Sequence, residues 1–90
     1  MAYREVINKL TDAGAVFRCQ GILECLEKSM NAPDVAEAMK LLKNDGVVIM
    51  GRKISSYAQA ALDILGIERY NGNDPEVIEL IPDLKEYLAS

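Results

Sequence analysis

The fold is decided by residues 54–66, which read ISSYAQAALDILG. The apolar residues of this stretch recur at intervals of three and four, as they do on one wide face of a helix: Ile54, Tyr57, Ala58, Ala61, Leu62 and Leu65. Gly66 follows directly, where a helix commonly ends in a left-handed cap. The pattern therefore predicts an amphipathic helix that buries this face against the rest of the chain.

Similar apolar periods predict four further helices. A short one covers residues 3–10, the next carries its apolar face over residues 15–30, and a third covers residues 33–43. The last helix begins at Asp74, which can cap the first free N–H groups, and continues to the C-terminus. Pro82 lies inside it and should kink or split the helix near residue 81, because proline lacks an N–H and its ring clashes with the preceding turn.

Residues 46–51, GVVIMG, are ambiguous, since a β-branched run between two glycines is locally typical of a strand. No second strand is evident to pair with it, and a lone strand leaves its backbone unsatisfied. We therefore assign this segment to the first turns of the fourth helix, with Val47 and Met50 in phase with its apolar face.

Length and composition exclude several classes of protein. The 90 residues, half of them apolar and 27% charged, predict one ordered domain over residues 1–90. The chain has no His, no Cys-x-x-Cys and no glycine-rich phosphate loop, so we expect no catalytic, cofactor or metal site. The longest apolar run, residues 47–50, is too short for a membrane helix, and no secretory signal is evident, so we expect a cytoplasmic protein.

The negative charge is concentrated at one end of the chain. Residues 63–90 carry two Lys or Arg against seven Asp or Glu, and this acidity argues against nucleic acid as a partner. Cys19 and Cys25 lie six residues apart and point to different sides of one helix, so we expect two reduced, packed thiols.

The chain also contains an internal repeat. Residues 33–43, PDVAEAMKLLK, align with residues 75–85, PEVIELIPDLK, at an offset of 42. Residues 19–26, CQGILECL, align with residues 58–65, AQAALDIL, at an offset of 39. Such a repeat predicts helix pairs that bury their apolar faces against one another.

These residues resemble a HEAT-type repeat. The resemblance rests on Ile54, Ala58, Ala61, Leu62, Leu65 and Gly66, followed by DPEV at 74–77. A weaker copy consists of Ala15, Cys19, Ile22, Leu23 and Leu26, followed by APDV at 32–35. Where the family usually has Arg or Lys after the first apolar position of the second helix, this chain has Val16 and Ser55.

The resemblance implies an all-α fold. It would have about five helices in antiparallel pairs that form a short, right-handed α-solenoid, with units at about residues 3–30, 33–66 and 74–89. The alternative is an irregular five-helix bundle without solenoid geometry.

In a HEAT-like stack the second helices line the concave face, so their polar residues are candidates for partner binding: Gln20, Glu24, Gln59 and Asp63. A second candidate is a carboxylate stripe on the last helix, which could receive a Lys- or Arg-rich segment: Glu76, Glu79, Asp83 and Glu86. Either set can instead be an ordinary solvated helix face. Arg52 and Lys53 form a third, weaker candidate for partner binding. We expect these two basic side chains to pair with Asp45 or Asp63 or to be simply hydrated.

We therefore predict a non-enzymatic protein–protein interaction or scaffold module. Because a stack this short leaves its ends uncovered, we expect a protein partner or self-association, chiefly through the N-terminal end. One alternative is an accessory or regulatory helical subunit of a larger enzyme complex. A less favoured alternative is a nucleic-acid-binding regulator, which would need Arg18, Arg52 and Lys53 to converge on one face.

Overall fold

A computed structural model describes residues 2–90. This part of the chain is a mostly helical compact globule, 34 × 24 × 24 Å, and contains five helices: α1 (Ala2–Leu10), α2 (Ala15–Glu27), α3 (Pro33–Leu41), α4 (Ile54–Ile64) and α5 (Pro75–Ala89). A single 3₁₀ turn, Leu42–Asn44, follows α3, and a small hairpin of strands β1 (Val48–Ile49) and β2 (Arg52–Lys53) precedes α4. The prediction of five helices is confirmed.

Helix α4 lies at the centre of the fold and packs against α2, α3 and α5. Its predicted apolar face is buried, apart from Leu65, which is half-buried just beyond the helix. Ala60, outside that face, is buried as well, so neighbours approach α4 from several sides. The helix ends as predicted, because Gly66 has a φ of +73° and the N–H of Ile67 bonds to the carbonyl of Leu62 at 3.0 Å.

Helices α1 and α2 pack against each other. Near the end of α1, the Lys9 ammonium contacts the carboxylate of Glu24, and the backbone of Leu10 passes over Gly21. A Cβ at position 21 would lie only 3.1 Å from the Leu10 backbone nitrogen. The absence of a side chain at Gly21 therefore sets how closely the two helices approach.

The assignment of residues 46–51 to the fourth helix is wrong. Val48 pairs with Lys53 and Ile49 with Arg52 in an antiparallel hairpin, so the missing second strand is the polar pair Arg52–Lys53. The chain reverses at Met50 and Gly51, whose φ values are +53° and +82°. Both central residues are thus left-handed, as in the tight turns that match the twist of paired strands. Met50, expected on the buried face, is 76% exposed.

Carbonyl groups of the preceding segment accept the first two N–H groups of α4. The N–H of Ile54 bonds to the carbonyl of Val47 at 2.9 Å, and that of Ser55 bonds to the carbonyl of Asp45 at 2.8 Å. The N–H of Lys53, the residue before the helix, donates to the carboxylate of Glu76 in α5 at 2.8 Å. Glu76 is the second residue of α5, so α5 begins beside the start of α4.

Helix α5 runs unbroken through Pro82, so the chain is not split near residue 81. Pro82 is exposed, as is Ile78 four residues earlier, whose carbonyl would bond to a residue-82 N–H in an ordinary helix. Water can therefore reach the carbonyl that proline leaves without a partner. The predicted cap is present, because the Asp74 carboxylate accepts the N–H of Glu76 at 3.0 Å.

Candidate functional site

The four polar residues predicted on the second helices do not share one hollow. Gln20 and Glu24 of α2 line a depression that Tyr87 of α5 also borders. Gln59 of α4 lines a different depression, beside the loop of residues 68–74. Asp63 accepts the backbone N–H of Tyr70 at 2.8 Å, so its carboxylate anchors that loop.

Glu24 is engaged within the fold. Its carboxylate contacts the ammonium groups of Lys9 at 2.7 Å and Lys28 at 2.9 Å. The hydrogen bond from Lys9, followed by that from Lys28, lowers the pKa of the Glu24 carboxyl. Of the two α2 candidates, only Gln20 is exposed.

Two carboxylates of the predicted α5 stripe bond to other parts of the fold, and the other two are exposed. Glu76 accepts the hydroxyl of Ser56 at 2.6 Å and the N–H of Lys53 at 2.8 Å, and these two bonds lower its pKa. Asp83 pairs with Arg52 at 2.8 Å. Glu79 and Glu86 are exposed, and no ion pair to either is present within residues 2–90.

Two of the candidate basic residues, Arg18 and Arg52, form ion pairs, whereas no ion pair of the Lys53 ammonium is present within residues 2–90. Arg52 contacts Asp83, so the expectation that it is tied to Asp45 or Asp63 is wrong. Asp45 instead bonds to Arg18 at 2.7 Å, and Arg18 also donates to the carbonyls of Asp12 and Ala13 at 2.9 Å each. Both guanidinium groups are therefore committed to internal contacts.

The two cysteines are free and buried, as expected of packed thiols. Burial, with a smaller effect from the charge of Glu24, raises the pKa of the Cys25 thiol to about 12. Burial also raises the pKa of the Cys19 thiol. Both thiols are protonated at neutral pH, which makes them poor nucleophiles.

The predicted N-terminal surface has a mixed lining. A hollow of about 380 Å³ at this end is lined by Tyr3, Arg4, Ile7, Asn8 and Asp34. Tyr3 is exposed and Ile7 is half-buried. This end thus offers an aromatic ring beside charged and amide groups.

Sequence reasoning missed an apolar hollow of about 280 Å³ between α2 and the tip of the hairpin. Its lining is almost entirely apolar: Val16, Cys19, Gln20, Leu23, Ile49 and Met50. Val16 and Met50 are 55% and 76% exposed, so apolar side chains stand open to water here. The local signal was Gly51 after the β-branched run, because a glycine can adopt the positive φ of a chain reversal, which would expose the neighbouring Met50.

The apolar hollow continues into the depression beside Tyr87, because Gln20 and Leu23 line both. Val16, Gln20, Leu23 and Glu27 follow at steps of four, three and four residues, which places them on one face of α2. The hydroxyl of Tyr87 donates to the Glu27 carboxylate at 2.9 Å and marks the far end. We name this surface the α2 groove and define it by six residues: Val16, Gln20, Leu23, Glu27, Met50 and Tyr87.

Comparison with protein-family models, curated proteins and solved structures finds no significant match to the chain. Within residues 2–90, no group of three or more His, Cys, Asp or Glu side chains is placed to hold a metal ion. The described helices include none with the length and apolar character needed to cross a bilayer.

Proposed function

We propose that this protein is a non-enzymatic protein–protein interaction module. The observation that carries the proposal is the apolar part of the α2 groove, where Val16 and Met50 are exposed beside the half-buried Leu23 and Ile49. A cluster of exposed apolar side chains is unfavourable in water and is typical of a surface that a partner covers. Polar groups at the edge of such a cluster fit a binding surface with an apolar centre.

The arrangement of the first four helices supports a HEAT-like origin for the module. Helix α1 packs on α2 and α3 packs on α4, while α1 also contacts α3 and α2 also contacts α4. Two stacked helix pairs, with the first helices in one layer and the second helices in another, would make contacts of this kind. Helix α5 packs on α4, and we propose that it covers the second pair.

The roles of the polar side chains support a function without chemistry. Glu24, Asp63, Glu76 and Asp83 all bond to other parts of the fold. The thiols, the best nucleophiles in the chain, are buried and have raised pKa values. The groups left exposed are better suited to contact than to catalysis.

The experiment that tests the proposal is purification of the tagged full chain from the cells that encode it, followed by titration with the purified partner. We expect a stoichiometric complex with a dissociation constant of about 10 μM or tighter. A chain that sediments as a monomer at micromolar concentration and titrates with none of the recovered proteins would contradict the proposal.

A further inference from the structure

We infer that Asn71 is a site of spontaneous covalent modification, at which the side-chain amide is lost as ammonia and the residue becomes aspartate or isoaspartate. The modification needs no partner and is independent of the proposed interaction function. Three features support it: the sequence Asn71-Gly72, the hydrogen bonds around it and the close approach of Tyr70 to Gly72.

The reaction at Asn71 needs only the chain and water. The backbone nitrogen of Gly72 loses its proton and attacks the side-chain carbonyl carbon of Asn71, so that a new C–N bond closes a succinimide ring. The bond from that carbon to the amide nitrogen breaks, and this nitrogen takes up a proton and leaves as ammonia. Water then opens the ring. Attack at the side-chain carbonyl gives aspartate, and attack at the main-chain carbonyl gives isoaspartate, whose backbone path is longer by one atom.

The local structure leaves the reacting groups open. Asn71 and Gly72 are exposed and lie between α4 and α5, outside any helix. Within residues 2–90, neither the Gly72 N–H nor the Asn71 side-chain amide forms a hydrogen bond. Glycine also has no Cβ to restrict the backbone rotation that brings its nitrogen to the amide carbon. The ring can therefore close without breaking a contact of the fold.

The other asparagines lack this combination of features. The chain has five: Asn8, Asn31, Asn44, Asn71 and Asn73. Asn8 lies within α1, where the backbone is held in the helix. The N–H that follows Asn44 bonds to the carbonyl of Leu42 at 3.0 Å. The N–H that follows Asn73 bonds to the hydroxyl of Tyr70 at 2.9 Å. Asn31 is exposed, but it precedes Ala32, whose Cβ hinders ring closure.

The fold protects the Asp-Gly sequence that could close the same ring. Asp45 precedes Gly46 and would react by losing water. Its carboxylate accepts from the Arg18 guanidinium at 2.7 Å and from the N–H of Val47 at 3.1 Å, one bond to each oxygen. An ionised carboxylate held in this way is a poor electrophile. The structure thus separates two sites that look alike in the sequence.

The fold also requires the glycine that makes Asn71 reactive. A Cβ at position 72 would lie 2.5 Å from the Tyr70 hydroxyl oxygen, so a side chain there would displace the Tyr70 ring. That hydroxyl accepts the N–H of Asp74, the residue that caps α5, and the Tyr70 N–H donates to Asp63. Isoaspartate at position 71 lengthens the backbone between Tyr70 and Asp74. We therefore expect it to disrupt their hydrogen bond and weaken the start of α5.

The test is incubation of the purified full chain in mildly alkaline buffer, followed by peptide mass spectrometry. We expect the peptide that contains Asn71 to gain the mass of an NH₂-to-OH exchange and to separate into aspartate and isoaspartate forms. Asn71 should react at least about tenfold faster than any other asparagine, Asn31 included. Equal rates at Asn71 and Asn31, or an Asn71 that stays intact while another asparagine reacts, would overturn the inference.

Two matched variants and one exchange measurement complete the test. Asn71→Gln should lose the reaction at position 71, because glutamine would have to close a larger ring. Asn73→Gln, an equally exposed position in the same loop, should leave the rate at Asn71 unchanged, and a tenfold slowing there would contradict the assigned site. In the purified isoaspartate form, the amide hydrogen of Asp74 should exchange about tenfold faster than in the unaltered chain. Unchanged exchange would overturn the effect on α5.

Discussion

The carboxylate of Glu76 accepts the backbone N–H of Lys53 at 2.8 Å, which joins the first turn of α5 to the start of α4 across 23 residues of sequence. The same carboxylate oxygen accepts the hydroxyl of Ser56 at 2.6 Å. These two bonds hold the hairpin, the central helix and the last helix together at one point. They therefore fix the position of the hairpin tip that carries Met50.

Removing the Ser56 hydroxyl should destabilise this junction. Ser56 is 1% exposed, and its hydrogen bond to Glu76 is to a charged group. We expect Ser56→Ala to lower the free energy of unfolding by about 1–2 kcal/mol, measured by urea denaturation. The matched control is Ser55→Ala at the neighbouring, half-buried position, which should change stability less. Equal effects of the two changes would contradict a special role for the Ser56 bond.

The junction should also depend on pH. The bonds from Ser56 and Lys53 lower the pKa of Glu76, so its stabilising effect is present above the ordinary glutamate pKa, roughly 4.3, and is lost as pH falls through the lower folded-state pKa. We expect Glu76→Gln to be less stable than the unaltered chain at pH 7, with the difference shrinking as the pH falls below about 4. Thermal unfolding of both proteins, measured from pH 7 to below about pH 4, tests this expectation.

Glu79→Gln, an exposed position on the same helix, serves as the control for that series and should follow the unaltered chain more closely at neutral pH. If the Glu76→Gln variant remains less stable than the unaltered chain by the same amount in acid, the charge of Glu76 is not the cause of the stability difference.

A side chain at position 21 should force α1 away from α2. A Cβ there would lie 3.0 Å from the Lys9 Cβ and 3.1 Å from the Leu10 backbone nitrogen. We expect Gly21→Val to lower the free energy of unfolding by about 1–3 kcal/mol, because the larger atoms displace the backbone of α1. Gln20→Val, one exposed position earlier, controls for the change in helix propensity, and a loss as large there would remove the steric explanation.

The left-handed backbone conformation of Met50 should lower the free energy of unfolding, because this conformation is strained for methionine. Asn adopts the left-handed conformation more readily than Met, so Met50→Asn should raise the free energy of unfolding by up to about 1 kcal/mol. Leu41→Asn removes an equally exposed apolar side chain from an ordinary helical position and should bring no such gain. If Met50→Asn lowers the free energy of unfolding, Met50 stabilises the fold, and its strained conformation is no evidence for a role in binding.

The helices and the core could be predicted because periodicity is a local signal. Each apolar face of α4 and α5 repeats over at least three turns, and tertiary packing follows that pattern. The hairpin could not be predicted in the same way. Its strands have two residues each, too few to alternate, and its turn is Met-Gly instead of the usual Asn-Gly.

The candidate site was harder to predict because it depends on contacts between distant residues. Nothing local distinguishes Glu76, which is tied to Lys53 and Ser56, from Glu79, which is exposed. The sequence pattern places Met50 on the fourth helix, whereas the hairpin turn brings it beside Val16 of α2 at one open apolar hollow. Whether a polar or apolar residue is free for a partner is decided by the assembled fold.

The most direct test of the account is an NMR titration of the full, ¹⁵N-labelled chain with the protein partner recovered by purification of the tagged chain. The account predicts that the largest amide shifts fall on Val16, Gln20, Leu23, Glu27 and the hairpin tip at Met50. Shifts centred instead on the loop of residues 68–74, or on the Tyr3 end of α1, would contradict it.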